Sequence, residues 1–285
     1  MNTIYHQNVK ILKNELAGEK LWRIRCASAE IAESVKPGQF CMLRIPGFRA
    51  PLLGRPLAIF RADRDADVKS VDVVYAVVGL GTEQLSHLQP GQNIEIWGPL
   101  GNGFPLEMEP NRYPTRPLLV AGGIGQTPMF LTALAFLNRS ETVKVTLIWG
   151  GRSKAHLACL EDFEQLAELF PGRLEILNST DDGSYGHHGF VTDLQKTQLE
   201  SGAYTPENAM VYACGPHPML RAVARQAEAA GLKCWVSLET PMACGMGICF
   251  TCVTKCKDDS APDGWDYCRT CTEGPVFDAS QLFWD

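Results

Sequence analysis

The residues best equipped for chemistry in this chain are cysteines. There are eleven, and six of them fall within residues 239–285. Cys244, Cys249 and Cys252 form a C-x4-C-x2-C run, and Cys271 follows after 18 intervening residues. Four thiolates at that spacing can hold a [2Fe–2S] cluster, which moves one electron at a time. The same segment supports a second reading. Cys249-x2-Cys252 and Cys268-x2-Cys271, separated by 15 residues, satisfy a four-cysteine zinc pattern. Spacing alone leaves both open. Cys256 is a spare thiol under either.

Upstream lie segments that could hold phosphates. Gly122, Gly123 and Gly125 sit between a strand pattern and a helix pattern. Glycines there let backbone approach a pyrophosphate, and the helix start offers free N–H groups. Pro128 stands where the last glycine of a full G-x-G-x-x-G would be, a position that suits a first helical turn. Cys214, Gly215 and Pro216 also join a strand pattern to a helix pattern. Nearer the N-terminus, Arg55 in Arg55, Pro56, Leu57 and Ala58 could pair with a phosphate. Gly79, Gly81 and Thr82 could present N–H groups and a hydroxyl to an anion. Taken singly, each of these also reads as an ordinary turn, a buried thiol or a surface arginine. No Ser/His/Asp set or paired carboxylate site stands out. His187 and His188 lie in a glycine-rich stretch that reads as a surface loop.

The elements that must position these residues fall into two blocks. Residues 1–104 are β-rich, with strands expected at 20–25, 38–45, 71–78 (carrying Val74, Tyr75 and Ala76) and 93–97. Glycine and proline punctuate them at Pro37, Gly38, Pro90, Gly91, Gly98 and Pro99, as in a small barrel. Residues 105–117 hold four prolines and read as a linker. Strands expected at 117–121, 143–149, 174–177 and 209–213 then alternate with helices at 128–137, 157–169 and 218–230. That alternation implies a parallel sheet with helices on both faces. The fold class is therefore an antiparallel β-barrel, a parallel-sheet α/β domain and a short C-terminal cysteine segment.

Composition excludes other classes. The chain has 285 residues, 45% hydrophobic and 20% charged, with a net charge of −6. No basic run argues for nucleic acid or an anionic membrane. Residues 1–20 carry no apolar signal core, and no apolar run is long enough to span a bilayer. Abundant cysteine without a secretion signal points to a reducing, cytoplasmic setting.

In this order, the segments resemble the ferredoxin–NADP reductase superfamily, collinearly over roughly residues 5–235. The resemblance implies a flavin-binding barrel followed by a nicotinamide-binding domain. Arg55, Pro56, Leu57 and Ala58 resemble the flavin motif, and Val74, Tyr75, Ala76, Gly81 and Thr82 are implied to join them at FAD. Gly122, Gly123, Gly125, Cys214, Gly215 and Pro216 resemble the nicotinamide motifs. The 47 residues after Leu238 are too few for a complete plant-type ferredoxin domain. The tail is instead similar to the electron-transfer subunits of class B dihydroorotate dehydrogenases, through residues 242–249, 271–277 and 98–104. Residues 1–104 would then bind FAD, 105–117 link, 118–238 bind NAD+ and 239–285 hold the cluster.

The resemblance also chooses among the cysteines. The family's last cysteine stands shortly before Gly-Pro-Val-Phe with two residues between, which selects Cys271 over Cys268, so the implied ligands are Cys244, Cys249, Cys252 and Cys271. Iron is favoured over zinc because Cys244 would be redundant for zinc, and because zinc is redox-inert beside a flavin. The implied activity is a relay in pyrimidine biosynthesis. Electrons pass from the FMN of a catalytic partner subunit, in a heterotetramer of two of each chain, through [2Fe–2S] and FAD to NAD+. Ala58 departs from the family, which usually has a hydroxyl there. Arg152 and Lys154 keep NADP open. Of Phe250, Trp265, Phe277, Phe283 and Trp284, some are expected to pack under the cluster loop, and one or two are candidates for the partner interface, a role that Trp284→Ala would test. The alternatives are a reductase subunit of another NAD(P)H-linked complex, of hydrogenase or ferredoxin:NADP oxidoreductase type, and a zinc-stabilised nucleotide-binding protein without redox chemistry.

Overall fold

Six antiparallel strands close the N-terminal barrel in a computed structural model that describes residues 3–47 and 51–284. They are β1 (Tyr5–Gly18), β2 (Leu21–Cys26), β3 (Phe40–Arg44), β4 (Arg55–Asp63), β5 (Ser70–Ala76) and β6 (Asn93–Leu100), in the order β1-β2-β5-β4-β3-β6. Short helices α1 (Ala29–Ser34) and α2 (Leu80–Ser86) cover its ends. Ile11, Ile24, Ile59, Val73, Tyr75 and Ile94 fill the interior.

Two of these strands escape sequence reading for physical reasons. Along β1 only Val9 and Ile11 are buried, so its 14 residues lack apolar alternation. It is a strand because β2 and β6 pair with it from either side. In β4, where a turn is expected, consecutive Ile59 and Phe60 are both buried. Ile59 enters the barrel and Phe60 points out into the neighbouring domain, which erases the period of two.

The second domain is a mainly parallel sheet. Its strands are β7 (Leu118–Gly122), β8 (Val145–Gly151), β9 (Leu174–Thr180), β10 (His187–His188), β11 (Val211–Cys214) and β12 (Cys234–Ser237). Its helices are α3 (Thr127–Leu137), α4 (Leu160–Leu169), α5 (Val191–Glu200) and α6 (His217–Ala229). β10, α5 and β12 are additions to the expected elements, and His187 and His188 form a short exposed strand. The order is β10-β9-β8-β7-β11-β12. The chain therefore reverses direction across the sheet at β7 and β11, and the crevice beyond their carboxyl ends is where such sheets bind ligands.

The cysteine segment adds a hairpin, β13 (Val253–Lys257) and β14 (Trp265–Arg269), and then β15 (Val276–Asp278). β15 pairs antiparallel with β12, so the sheet runs on past residue 238. Apolar burial also joins barrel to sheet. Phe60, Leu21 and Val74 share one cluster with Phe130, Trp149 and Phe163. No helix among the described residues is long and apolar enough to cross a membrane.

Candidate functional site

The cysteine loop winds over the wall of the barrel. Gly245 and Gly247 take left-handed φ values of +73° and +79°, which favour glycine. A Cβ on Gly245 would lie 2.9 Å from Met42, and one on Gly247 would lie 2.7 Å from Thr272. Trp97 Nε1 donates to the Cys244 carbonyl at 3.3 Å. Cys252 and Cys271 are buried with Phe40, Met42 and Leu100 of the barrel, while Cys249 is exposed.

The sulfurs pair two by two. Cys249 faces Cys244, and Cys271 faces Cys252. N–H and O–H groups point at them: Gly247 N donates to Cys271 Sγ at 3.1 Å, Met246 N to Cys244 Sγ at 3.4 Å, and Thr251 Oγ1 to Cys249 Sγ at 3.2 Å. Such bonds favour thiolates. The Thr251 hydroxyl and amide, helped by Cys244, hold the Cys249 thiol down to about 6. Burial, with Cys252 alongside, pushes Cys271 up to about 12.

Cys268 stands apart. It lies on β14 opposite Thr254 of β13, on the same face as Cys256, and the two thiols face each other. The four-cysteine zinc pattern needs Cys268 beside Cys271, and the hairpin turns it elsewhere. Among the described residues no three ligand-type side chains converge on one point, as one tetrahedral ion would require. Two adjacent sulfur pairs are the donor set of a two-iron cluster. Cys244, Cys249, Cys252 and Cys271 fit that group.

On the barrel, the fold brings the two anion-binding candidates together. The Arg55 guanidinium packs on Gly81, where a Cβ would lie 2.7 Å from its Nε. Arg55 donates to the Leu53 and Gly54 carbonyls at 3.0 and 3.2 Å, and no carboxylate pairs with it among the described residues. Leu53, Val78 and Leu80 around it are exposed. An unpaired guanidinium, a glycine cradle and bare apolar side chains fit a flat ring system carrying a diphosphate.

The structure reassigns three side chains in this region. The Thr82 hydroxyl accepts from Val78 N and Gly79 N at 3.0 and 3.2 Å, so it fixes the turn and is not presented outward. Tyr75 is buried in the barrel, with its hydroxyl donating to Asn14 Oδ1 at 3.1 Å. Val74 faces the interdomain core. Residues 74 and 75 can therefore meet a flavin only through backbone.

The nicotinamide candidates also meet. A Cβ on Gly125 would lie 2.2 Å from the Cys214 carbonyl oxygen, and one on Gly122 would lie 2.4 Å from Met219 Sδ. Gly125 lets the turn after β7 approach the end of β11, and Gly122 leaves room for Pro216 and for Met219 of α6, whereas the Cα of Gly123 faces open space. Burial pushes the Cys214 thiol up to about 12, so it stays protonated. Gln126, which sequence reading passes over, is wholly buried in this turn, and neither atom of its amide finds a partner among the described residues. Such a group awaits a ligand or a water.

Comparisons with known proteins agree with this geometry. Residues 119–225 match the oxidoreductase NAD-binding domain, and residues 239–283 match the iron–sulfur cluster binding domain of dihydroorotate dehydrogenase B. The dihydroorotate dehydrogenase B (NAD(+)) electron transfer subunit of Bacillus caldolyticus is 34% identical over 279 residues, covering 98% of this chain and 99% of the relative. The chain belongs to this family of electron transfer subunits. The Fusobacterium nucleatum member is 35% identical over 97% of this chain and 95% of its own length. A solved NADH-dependent reduced ferredoxin–NADP oxidoreductase superposes with a TM-score of 0.79, at 25% identity, over 97% of this chain and 90% of that one. A ferredoxin NADP+ reductase from Neisseria gonorrhoeae shares the fold at a TM-score of 0.62 and 20% identity, over 79% of this chain and 92% of that one.

In this electron transfer subunit the tail aromatics do not all behave as expected. Trp284 is half-buried, with its ring 5.2 Å from the exposed His217 and its Nε1 donating to the Ala279 carbonyl, so part of it stays at the surface. Phe277 is buried in β15. Three exposed apolar side chains lie together on the cluster loop: Met246 is 46% exposed, Ile248 76% and Phe250 63%; Tyr267 and Phe283 are exposed elsewhere in the tail. Asn102, which clasps β15, and Trp97 were equally invisible in sequence, because their partners lie 174 and 147 residues away.

Proposed function

We propose that this chain carries electrons between the FMN of a dihydroorotate-oxidising catalytic subunit and NAD+. The reading is supported above all by Met42. On β3 it pairs with Pro56 of the flavin-type segment on one side and packs against Gly245 of the cluster loop on the other. In this reading one strand of the barrel separates the two redox sites.

In this reading the barrel holds FAD through Arg55, the 55–58 backbone and the turn at Gly81. Gly122, Gly123, Gly125, Cys214, Gly215 and Pro216 border the nicotinamide, and Cys244, Cys249, Cys252 and Cys271 hold iron. Bound there, these groups supply one-electron transfer at iron, the one-to-two electron change at the flavin and hydride acceptance at nicotinamide. The protein supplies position, charge and exclusion of water. Met246, Ile248 and Phe250 form the contact with the catalytic subunit, in a cytoplasmic assembly of two of each chain.

Reconstitution tests the reading. Purified chain carrying FAD and [2Fe–2S], mixed with the FMN-containing subunit, should reduce NAD+ only when dihydroorotate is present. A colourless, flavin-free, zinc-containing protein would overturn it. So would a holoprotein that reduces NAD+ only with a different iron–sulfur partner.

A further inference from the structure

Barrel and sheet meet through two kinds of contact. One is apolar: Phe60 of β4 packs on Phe130 of α3 and Phe163 of α4, with ring centroids 4.8 and 6.0 Å apart. The other is ionic. Arg23 of β2 donates from Nη1 to both carboxylate oxygens of Asp162 in the first turn of α4, each at 2.9 Å. The same guanidinium reaches back to Asp72 of β5 through Nε at 2.7 Å, and Arg25 holds the other oxygen of Asp72 at 2.6 Å. Side-chain exposure is 12% for Arg23, 2% for Asp72 and 15% for Asp162. A further tie lies close by, where Glu19 N donates to the Ala155 carbonyl at 2.8 Å. Residues 155–162, which lead from the end of β8 into α4, are thus held by the barrel at both ends.

The two contacts do different work. Burial of Phe60, Phe130 and Phe163 is non-directional and holds the domains together over a range of rotations. A charge-assisted pair in which one guanidinium nitrogen spans both carboxylate oxygens, while the rest of the guanidinium is held by Asp72, has a narrower geometry. Its desolvation cost offsets much of its attraction, so its contribution to stability is modest while its contribution to orientation is not. Arg23 also sits opposite Val74, on the strand whose backbone borders the proposed flavin site. From these relations we infer that Asp162, through Arg23, is a positioning residue that sets the nicotinamide domain against the flavin barrel and so fixes the approach of the two cofactors.

This inference rests on the proposed hydride exchange between FAD and NAD+. The test uses the holoprotein with NADH as probe, in wild type, Asp162→Asn and Asp162→Glu. Asp162→Asn leaves Arg23 paired with Asp72, so the barrel keeps its own network. Its FAD content and its Kd for NADH should stay within about twofold of wild type. Its limiting rate of flavin reduction should fall about tenfold, the scale expected of a sub-ångström misplacement, and Asp162→Glu should recover most of that rate. Hydrogen exchange of the flavin-free protein provides a readout without turnover: Asp162→Asn should raise exchange at residues 19–23 and 152–160 and leave β7 unchanged. A limiting rate equal to wild type overturns the inference. Loss of FAD from Asp162→Asn also overturns it, because the contact would then be a general support of the fold. If wild-type flavin is not reduced by NADH at all, the proposed function fails. The exchange pattern alone then decides whether Asp162 sets domain position.

Discussion

Asn102 and Val276 exchange two hydrogen bonds. Asn102 Nδ2 donates to the Val276 carbonyl at 2.7 Å, and its Oδ1 accepts from the Val276 amide at 2.9 Å. The Asn102 amide also donates to the Gly274 carbonyl at 2.7 Å. The loop after β6 thereby grips the strand that follows Cys271 and anchors the cluster segment to the barrel. Asn102→Ala removes the two side-chain bonds to Val276 and a third, from Nδ2 to the Glu273 carbonyl at 2.9 Å, and leaves Val276 unpaired on that side. The variant should be less stable by about 1–3 kcal/mol. On heating, visible absorption from the cluster should bleach before flavin is released; simultaneous loss would show that Asn102 has no special hold on the tail.

Cys271→Ser and Cys268→Ser should behave differently. Cys271 faces Cys252 in the buried sulfur pair, whereas Cys268 faces Cys256 across the hairpin. Iron content and the EPR signal of the reduced protein should be lost in Cys271→Ser and kept in Cys268→Ser. The opposite pattern would move the fourth ligand to Cys268.

Gln126→Leu should stabilise the empty protein and weaken its hold on dinucleotide. The wild-type amide is buried without partners among the described residues, at a cost that an isosteric apolar side chain avoids. If bound dinucleotide satisfies that amide, Tm of the ligand-free variant rises while its affinity for NAD+ falls. A raised Tm with unchanged affinity would mean that the amide serves only a buried water.

Stability should fall in alkali, in part through Cys41. Burial in the barrel pushes this thiol up to about 12 from an ordinary value of 9.0. Below pH 9 both folded and unfolded chains keep the proton, and the stabilising effect is complete. Between 9 and 12 only the folded chain keeps it, so stability declines with rising pH by up to about 1.4 kcal/mol per unit. Cys41→Val removes that titration. Denaturant unfolding from pH 8 to 11 should show a shallower decline in the variant, and parallel curves would contradict the assignment.

The cysteine-rich tail, the glycine turns and the order of barrel before sheet are legible in sequence, because each rests on local chemistry, namely spacing, φ preference and periodicity. Spacing leaves Cys268 and Cys271 both open as fourth ligand, and only the family resemblance selects Cys271. β4 was not legible, because its two faces bury different residues against different domains. Thr82 and Tyr75 lie in the expected region with their side chains turned to structural work, which residue type alone does not reveal. Trp284, a tail aromatic, is half-buried, with its ring against the exposed His217, a contact that residue type alone does not reveal.

The sequence by itself determined the chemistry this chain can host, since thiolates, glycines and a guanidinium carry their reactivity wherever they stand. Tertiary structure alone decided which sulfurs pair, which barrel strand lies between the cluster loop and the flavin-type segment, and how Arg23 and Asp162 join the domains. Several of these contacts link residues more than a hundred positions apart, such as Arg23 with Asp162 and Trp97 with Cys244. No local preference encodes such a pair; the packing of barrel, sheet and tail creates it.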